Sequence, residues 1–447
     1  MRSVTRRTIA ICLLLASCGG DAATTPGDAG FDALPDTVVA FDGSIEPELP
    51  YVPTGDAPPW DPAACDLRWT YTRPEGGLPS SLAVDAKGNV YAAGAGRLHR
   101  IKPAGTFDWT WPPSASELAM PGEQLTGAAI NAYGTTLVVA GETGRVYAIT
   151  HLGGTKWTWD AGAPIRSTPA LGEETLPLAP QGGFVAAVDD DGRLWVLRDE
   201  GSQAVLAAMA VDVGVPGAVP PTVTILDDGM VFVRTAGRLT SASPQGAIAW
   251  TWSAADGDAL VAGPAVASDG TLRVVVGHGP TPGGLFEGFG VGTWTPAGEL
   301  VIERPTDLAN DMVVGLAVGP ADEVVLTAES RVQSWTPGGQ LLWRVFGDFV
   351  PASPPSLAAG DLTVVGASPH AVILVDENGE IHWRHELEGE LAAGAPVVGD
   401  DGTTYLHLGS SVVALHCGAP GPAPSRWPRH QGTARNAGRP APPPGAP

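Results

Sequence analysis

With 48 acidic and 25 basic side chains, this 447-residue chain has a formal charge of −23, which disfavours nucleic acid and anionic lipid headgroups as partners. Its 59 glycines and 43 prolines suit many short strands joined by turns rather than a helical bundle, and a hydrophobic content of 44% is enough for a packed core. The length would fill two or three ordinary domains, but an internal repeat overrides that rule.

In chain order, the N-terminus reads as an address. Arg2, Arg6 and Arg7 precede an apolar run, Ile9 to Ala16, too short to cross a bilayer. It ends in Leu15-Ala16-Ser17-Cys18, which resembles the lipobox of bacterial lipoproteins. The resemblance implies a signal peptide over 1–17 and a lipidated Cys18 as the first mature residue. An ordinary signal peptide with a chance cysteine is the alternative. Gly19 stands where inner-membrane lipoproteins often carry Asp, which points to the outer membrane, on its periplasmic or surface side. Residues 18–64 hold nine acids and no Lys or Arg and read as a disordered acidic tether.

From 65 to 417 a pattern recurs: a turn glycine with an apolar residue four positions later. The seven instances are Gly105–Trp109, Gly153–Trp157, Gly201–Val205, Gly246–Trp250, Gly298–Ile302, Gly339–Trp343 and Gly379–Trp383. Trp69 is an eighth partner, with Cys65 in the glycine slot. Spacings of 40 to 52 residues are those of a propeller or an array. Period-two runs punctuated by glycine give three strands, the Gly turn, then a fourth strand. In the first repeat these fall at 81–85, 89–92, 97–102 and 107–111. Triplets begin near 80, 125, 167, 220, 263, 314, 354 and 394, while the first outer strand, 67–71, precedes them all. The predicted fold is all-β: an eight-bladed propeller of four-stranded blades whose last blade joins N- and C-terminal strands.

The cysteines bear on that closure. Cys12 leaves with the signal and Cys18 takes lipid, so Cys65 and Cys417 remain, facing each other across the closing turn. A disulfide is the expectation in an oxidising compartment, with about 5 kcal/mol as an upper figure for so long a loop. Two unpaired buried thiols are the alternative. Tryptophans two apart (Trp109/Trp111, Trp157/Trp159, Trp250/Trp252) share a strand face and read as packing between blades rather than as a sugar-binding stripe.

The segments 375–383, Val-Asp-Glu-Asn-Gly-Glu-Ile-His-Trp, and 335–343, Trp-Thr-Pro-Gly-Gly-Gln-Leu-Leu-Trp, resemble the repeat of the quinoprotein (PQQ-like) propellers. The basic Pro/Ala-rich tail, 418–447, holds a Trp427-Pro428 to Gly438-Arg439 stretch similar to one that flanks such propellers, and is expected to lie against the ring with Trp427 as anchor. Quinone-using members place adjacent bonded cysteines against the cofactor, and no two cysteines adjoin here. The resemblance therefore implies the non-catalytic branch, similar in architecture to the propeller lipoprotein of the outer-membrane barrel-assembly machine. No catalytic residue, metal or cofactor is assigned.

Other candidates are weaker. Asp189-Asp190-Asp191-Gly192 could offer oxygens to calcium, but Asp-Gly is also a common hairpin pair. His382 and His385 stand an odd number apart, on opposite faces of one strand. The longest departures from the repeat are 112–124, 172–183 and 278–290. The last carries Leu285, Phe286 and Phe289, the candidate partner contact. The expected function is a monomeric, lipid-anchored scaffold that binds an envelope protein or a glycan, with membrane contact through the lipid alone. A quinone-dependent dehydrogenase or its degenerate relative is the alternative.

Overall fold

The computed structural model describes residues 66–432 apart from 77–79, 114–122, 173–182, 215–216, 218–219, 227, 281–285, 309–310, 369, 388–393, 417–420, 426–427 and 430–431. The chain divides into two units, Met1–Glu46 and Pro47–Pro447, and the described residues lie wholly in the second. Cys18, Cys65, Cys417 and Trp427 fall outside the described residues.

Eight antiparallel sheets form the blades of a propeller. Blade 1 runs from Ala83–Val84 through Val90–Gly94 and Arg97–Ile101 to Phe107–Trp111, and the next six follow the same order outward from the axis. The eighth has its three inner strands at Val397–Val398, Thr403–Leu408 and Ser411–His416, and its outer strand is Asp66–Thr72 from the other end of the chain. Asp66 pairs with His416 and Thr72 with Ser411. The ring thus closes as the offset count of strands predicts, leaving no broken seam between first and last blades. Blade 7 departs from four strands. Its innermost strand breaks at 352–355 into Val350–Pro351 and Ser356–Ala358, both on Leu362–Ser368.

Inner strands are buried on both faces, so they read as continuous apolar runs. Residues 90–94, 136–140 and 371–375 are buried throughout. Outer strands alternate, as Ile248–Ser253 does.

The recurrent glycine has two causes. Gly105, Gly153, Gly246, Gly298, Gly339 and Gly379 all have φ between 77° and 92°, a region that disfavours any Cβ. Space is the second. A Cβ on Gly105 would stand 2.4 Å from Cγ of Trp69, and one on Gly298 2.5 Å from Cγ of Trp250. Each tryptophan therefore covers the glycine of the following blade, not the glycine four residues before it. The indole nitrogen locks the contact, because Trp69 donates to Pro103 O at 2.8 Å, Trp109 to His151 O at 3.1 Å and Trp250 to Pro296 O at 2.8 Å. The second aromatic also faces the next blade, with Trp111 at 4.9 Å from Tyr147 and Trp252 at 5.1 Å from Trp294. Repetition at most seams is what packing between blades requires.

Candidate functional site

Successive strands alternate in direction, so the turn after each inner strand and the Gly turn share one face of the ring. The turn between second and third strands and the link between blades share the other. On that second face a cavity of about 470 Å3 sits on the axis. All eight blades line it with the residues that open their inner strands, among them Ser80, Thr126, Ser167, Thr222, Gly263, Gly315, Pro354 and Gly394. Small residues there keep eight converging strands apart, and the same smallness leaves the cavity open.

Described residues of the tail bond to the inner strands of blades 6, 7 and 1. Ala359 N donates to Gly421 O, Ala423 N to Leu357 O and Leu357 N to Pro428 O, and the Ser425 hydroxyl donates to Val318 O. Arg429 then pairs with Ser356 of blade 7 and donates from NH1 to Leu82 O of blade 1 at 3.3 Å. The described tail residues between 421 and 429 thus reach from blade 6 to blade 1, while the expected anchor, Trp427, lies outside the described residues. Leu82 follows the cavity residue Ser81, and Ser356 lies two beyond Pro354, so Arg429 bonds to inner strands that also line the cavity.

Two arginines at this centre are deeply buried, Arg234 at 3% and Arg429 at 2% exposure. Burial pushes their pKa down to about 10 and about 9 respectively, both still charged at neutral pH. Arg234 meets only neutral acceptors. It donates to Gly263 O, Leu260 O, Pro220 O and the Thr222 hydroxyl at 2.7 to 3.0 Å. At the seam of blades 8 and 1, Tyr71 bonds His99 Nδ1 at 2.9 Å while Nε2 meets Glu75 at 2.6 Å. Nearby His407 is fully buried, and burial, reinforced by Arg73, drives its pKa down to about 3. It is neutral in the native protein.

The residues read from sequence take these places. Asp189 accepts from Arg193 N and the Trp195 indole, Asp190 from Arg166 Nε, and Asp191 faces Arg193 at 3.3 Å. The three carboxylates diverge onto separate partners, as a turn requires. His382 bonds Asp376 within its own turn at 2.9 Å. Residues 278–290 are not a free loop: Leu272–Pro280 and Phe286–Trp294 are paired strands through most of that stretch. Phe289 is 3% exposed and edge-to-face with Phe286 at 5.5 Å. Phe289 is therefore core, because strand pairing turns it inward. Phe286 is partly buried beside it, and Leu285 lies outside the described residues. His278 at the strand end bridges Asp258 at 3.1 Å and Glu303 at 2.5 Å. Burial works against its charge, but the two carboxylates outweigh it and its pKa is raised.

Sequence reasoning missed an apolar sector on the funnel face. Met312, Phe346 and Val350 are 47%, 58% and 46% exposed, at the blade links on either side of blade 6. Arg331 and Arg344 stand over the Phe346 ring at 5.1 and 5.6 Å, and both are ion-paired to Asp307. Nothing in the repeat marks these positions, since links between blades lie outside its period.

Residues 328–417, the end of blade 6 through blade 8, match the family model described as outer membrane protein assembly factor BamB. The solved BamB from Moraxella catarrhalis superposes with a TM-score of 0.59 at 15% identity, over 79% of this chain and 100% of that one. The chain carries a PQQ-like propeller that resembles BamB. The same fold appears in the Dos1 propeller, with a TM-score of 0.62, 10% identity and 80% and 96% coverage. It appears again in a streptogramin B lyase, with a TM-score of 0.50, 12% identity and 78% and 97% coverage. A ring shared by an assembly factor and a lyase settles architecture and not chemistry. No curated protein matches the sequence. Among the described residues, no three His, Cys, Asp or Glu side chains converge as metal ligands would.

Proposed function

We propose that this chain is a cell-envelope scaffold, lipid-anchored through Cys18 and without catalytic activity of its own, which docks a partner protein on the funnel face. The resemblance to BamB supports a protein-binding role and an envelope location. The observation that carries the docking face is the sector at Met312, Phe346 and Val350. Among the described residues, the other large hydrophobics exposed by more than a third, such as Leu152 at 73%, Phe107 at 50% and Tyr133 at 43%, lie on outer strands or on turns of the opposite face. Phe346, with the guanidiniums of Arg331 and Arg344 over its ring, is an aromatic anchor of the kind that dominates binding energy.

The test is affinity capture from detergent-solubilised envelope with the wild type and with Phe346→Asp. A partner held by the wild type and lost by a variant of unchanged melting temperature supports the reading. Equal recovery by both sinks it. Mass spectrometry of the mature protein should find acyl chains on Cys18, and an unmodified cysteine would remove the anchor from the proposal. Saturable dye-linked alcohol oxidation on adding quinone and calcium would revive the dehydrogenase alternative.

A further inference from the structure

The seam between blades 5 and 6 departs from most others. Blade 5 puts Ile302 where the seam tryptophan usually stands, and the Arg304 stem covers Gly339 of blade 6 instead. A Cβ on Gly339 would stand 2.5 Å from Cγ of Arg304. Register decides what else faces that seam, because residues directly opposite on paired strands point to the same side of a sheet. Arg273 pairs with Thr293 and Thr293 with Ile302, while Val291 pairs with Arg304. These side chains therefore leave blade 5 on its blade-6 side. Blades 2, 4 and 6 carry Val138, Phe232 and Val325 in the place of Arg273. Of these four blades, only blade 5 puts a charge there.

A crevice opens between the two sheets, lined by Arg273, Val291, Thr293 and Arg304 from blade 5 and by Val324 and Trp335 from blade 6. Val324 and Trp335 are opposite each other in register, so both face back toward blade 5. The lining holds two guanidiniums and no carboxylate, in a chain with a formal charge of −23. Arg273 is 5% exposed, and burial lowers its pKa. Its Nη1 donates to the Thr271 hydroxyl at 2.6 Å, a neutral partner, and its Nε has no acceptor among the described residues. The acids that act on it from a distance, Asp269 and Asp322, accept from Thr271 and Ser268. Among the described residues, neither Arg273 nor Arg304 has a carboxylate within ion-pair reach. The buried Trp335 indole N–H lacks an acceptor there as well. Packing on Gly339 accounts for the stem of Arg304. It leaves a buried cation without a counter-charge and idle donors on facing walls, and both are costly.

We infer that this crevice is a binding site for a carboxylate group, which accepts hydrogen bonds from Arg273 and Arg304 and neutralises the buried charge. Guanidinium and carboxylate match in plane and in charge, and their hydrogen bonds are among the strong ones. The enclosed space of about 20 Å3 takes a group little larger than a water. A flat carboxylate entering end-on meets that limit, and the body of its molecule stays outside, past the exposed Arg304. A small free acid and the acidic side chain of a peptide both present this chemistry. None of the lining residues belongs to the Phe346 sector, so the site stands without the docking proposal.

The experiment is calorimetric titration of the intact protein with acetate, with a capped tripeptide whose one charge is a glutamate, and with inorganic phosphate, against chloride at equal ionic strength. Saturation by acetate assigns a small acid, saturation by the tripeptide alone assigns an acidic peptide, and either result supports the site. Binding should change the indole fluorescence, and Trp335→Phe should remove that change, which places the ligand in this crevice. Arg304→Met keeps a stem over Gly339 and removes the charge, so it should weaken binding roughly tenfold at an unchanged melting temperature. Arg273→Met should abolish binding while the melting temperature of the unliganded protein holds or rises, because a buried, unpaired cation has gone. No saturation by either carboxylate at millimolar concentration overturns the site. Saturation that survives both arginine variants overturns it equally, and so does phosphate binding more tightly than both carboxylates.

Discussion

The Gly-turn face and the funnel face of this ring are built from the same repeats and obey different rules. On the Gly-turn face, seam after seam repeats one contact, an indole laid over the next blade's glycine with its nitrogen bonded to the turn. The residue three before the glycine is often Thr, Ser or Asp, and its side-chain oxygen accepts from the backbone two to four residues on, as Ser243, Thr336 and Asp376 do. On the funnel face the small residues that open the inner strands recur, but the charged and aromatic groups do not. Arg234, Phe346 and the His278 bridge each occur once. Periodicity marks what eight seams need in common, and a site is found where one blade departs from the others.

That contrast can be broken most directly at a seam. Trp157 is 5% exposed, with its indole nitrogen 3.0 Å from Asp199. Trp157→Ala should cost about 3–5 kcal/mol in urea unfolding, as core aromatic truncations do. Ile302, which takes the same place in blade 5 but is only half-buried, should lose less than half as much on truncation to Ala. Equal losses would show that the tryptophan seam is not special.

The seam of blades 8 and 1 responds to pH instead. His407 has a folded pKa of about 3, below its ordinary value near 6.5, so the unfolded chain binds a proton that the native state refuses. The resulting stability is present above pH 6.5 and is lost as pH falls toward 3, up to about 5 kcal/mol from this group. His407→Asn should flatten that part of the stability–pH curve, and parallel curves for the two proteins would refute the assignment. His278 has the opposite sign: its raised pKa gives stability that is complete below its unfolded value and fades as pH rises through the folded one.

The smallest effect separates the two causes of the recurrent glycine. Gly105 and Gly360 have φ of +78° and +79°, but a Cβ at Gly360 meets nothing within 4 Å. Gly360→Ala should therefore cost about 1–2 kcal/mol for backbone conformation alone. Gly105→Ala should cost about 1–3 kcal/mol more through its collision with Trp69. Matching losses at the two sites would leave conformation as the whole explanation.

The fold was legible because a propeller must satisfy every seam with the same few residue types, so its demands recur in the text. The strand offset between 67–71 and the last triplet told how the ring closes. Even so, the partner of each glycine was not legible: spacing pairs Gly105 with Trp109, while the structure pairs it with Trp69, thirty-six residues earlier. The candidate contact at 285–289 shows the limit on the other side. Apolar residues in a long departure look available, and strand pairing at 286–294 buried Phe289.

By itself the sequence determined the number of blades, the closing strand and the surplus of acid, since these depend on local turns, alternation and counts. Only the tertiary structure decided that tail residues between 421 and 429 bond to blades 6, 7 and 1, that Arg234 is buried among carbonyls beside the central cavity, and that two arginines stand over the exposed Phe346 ring. Those placements join residues from different blades and from the chain's end. The physical reason is that a buried charge takes its meaning from neighbours brought together by ring closure, and no spacing along the chain encodes them.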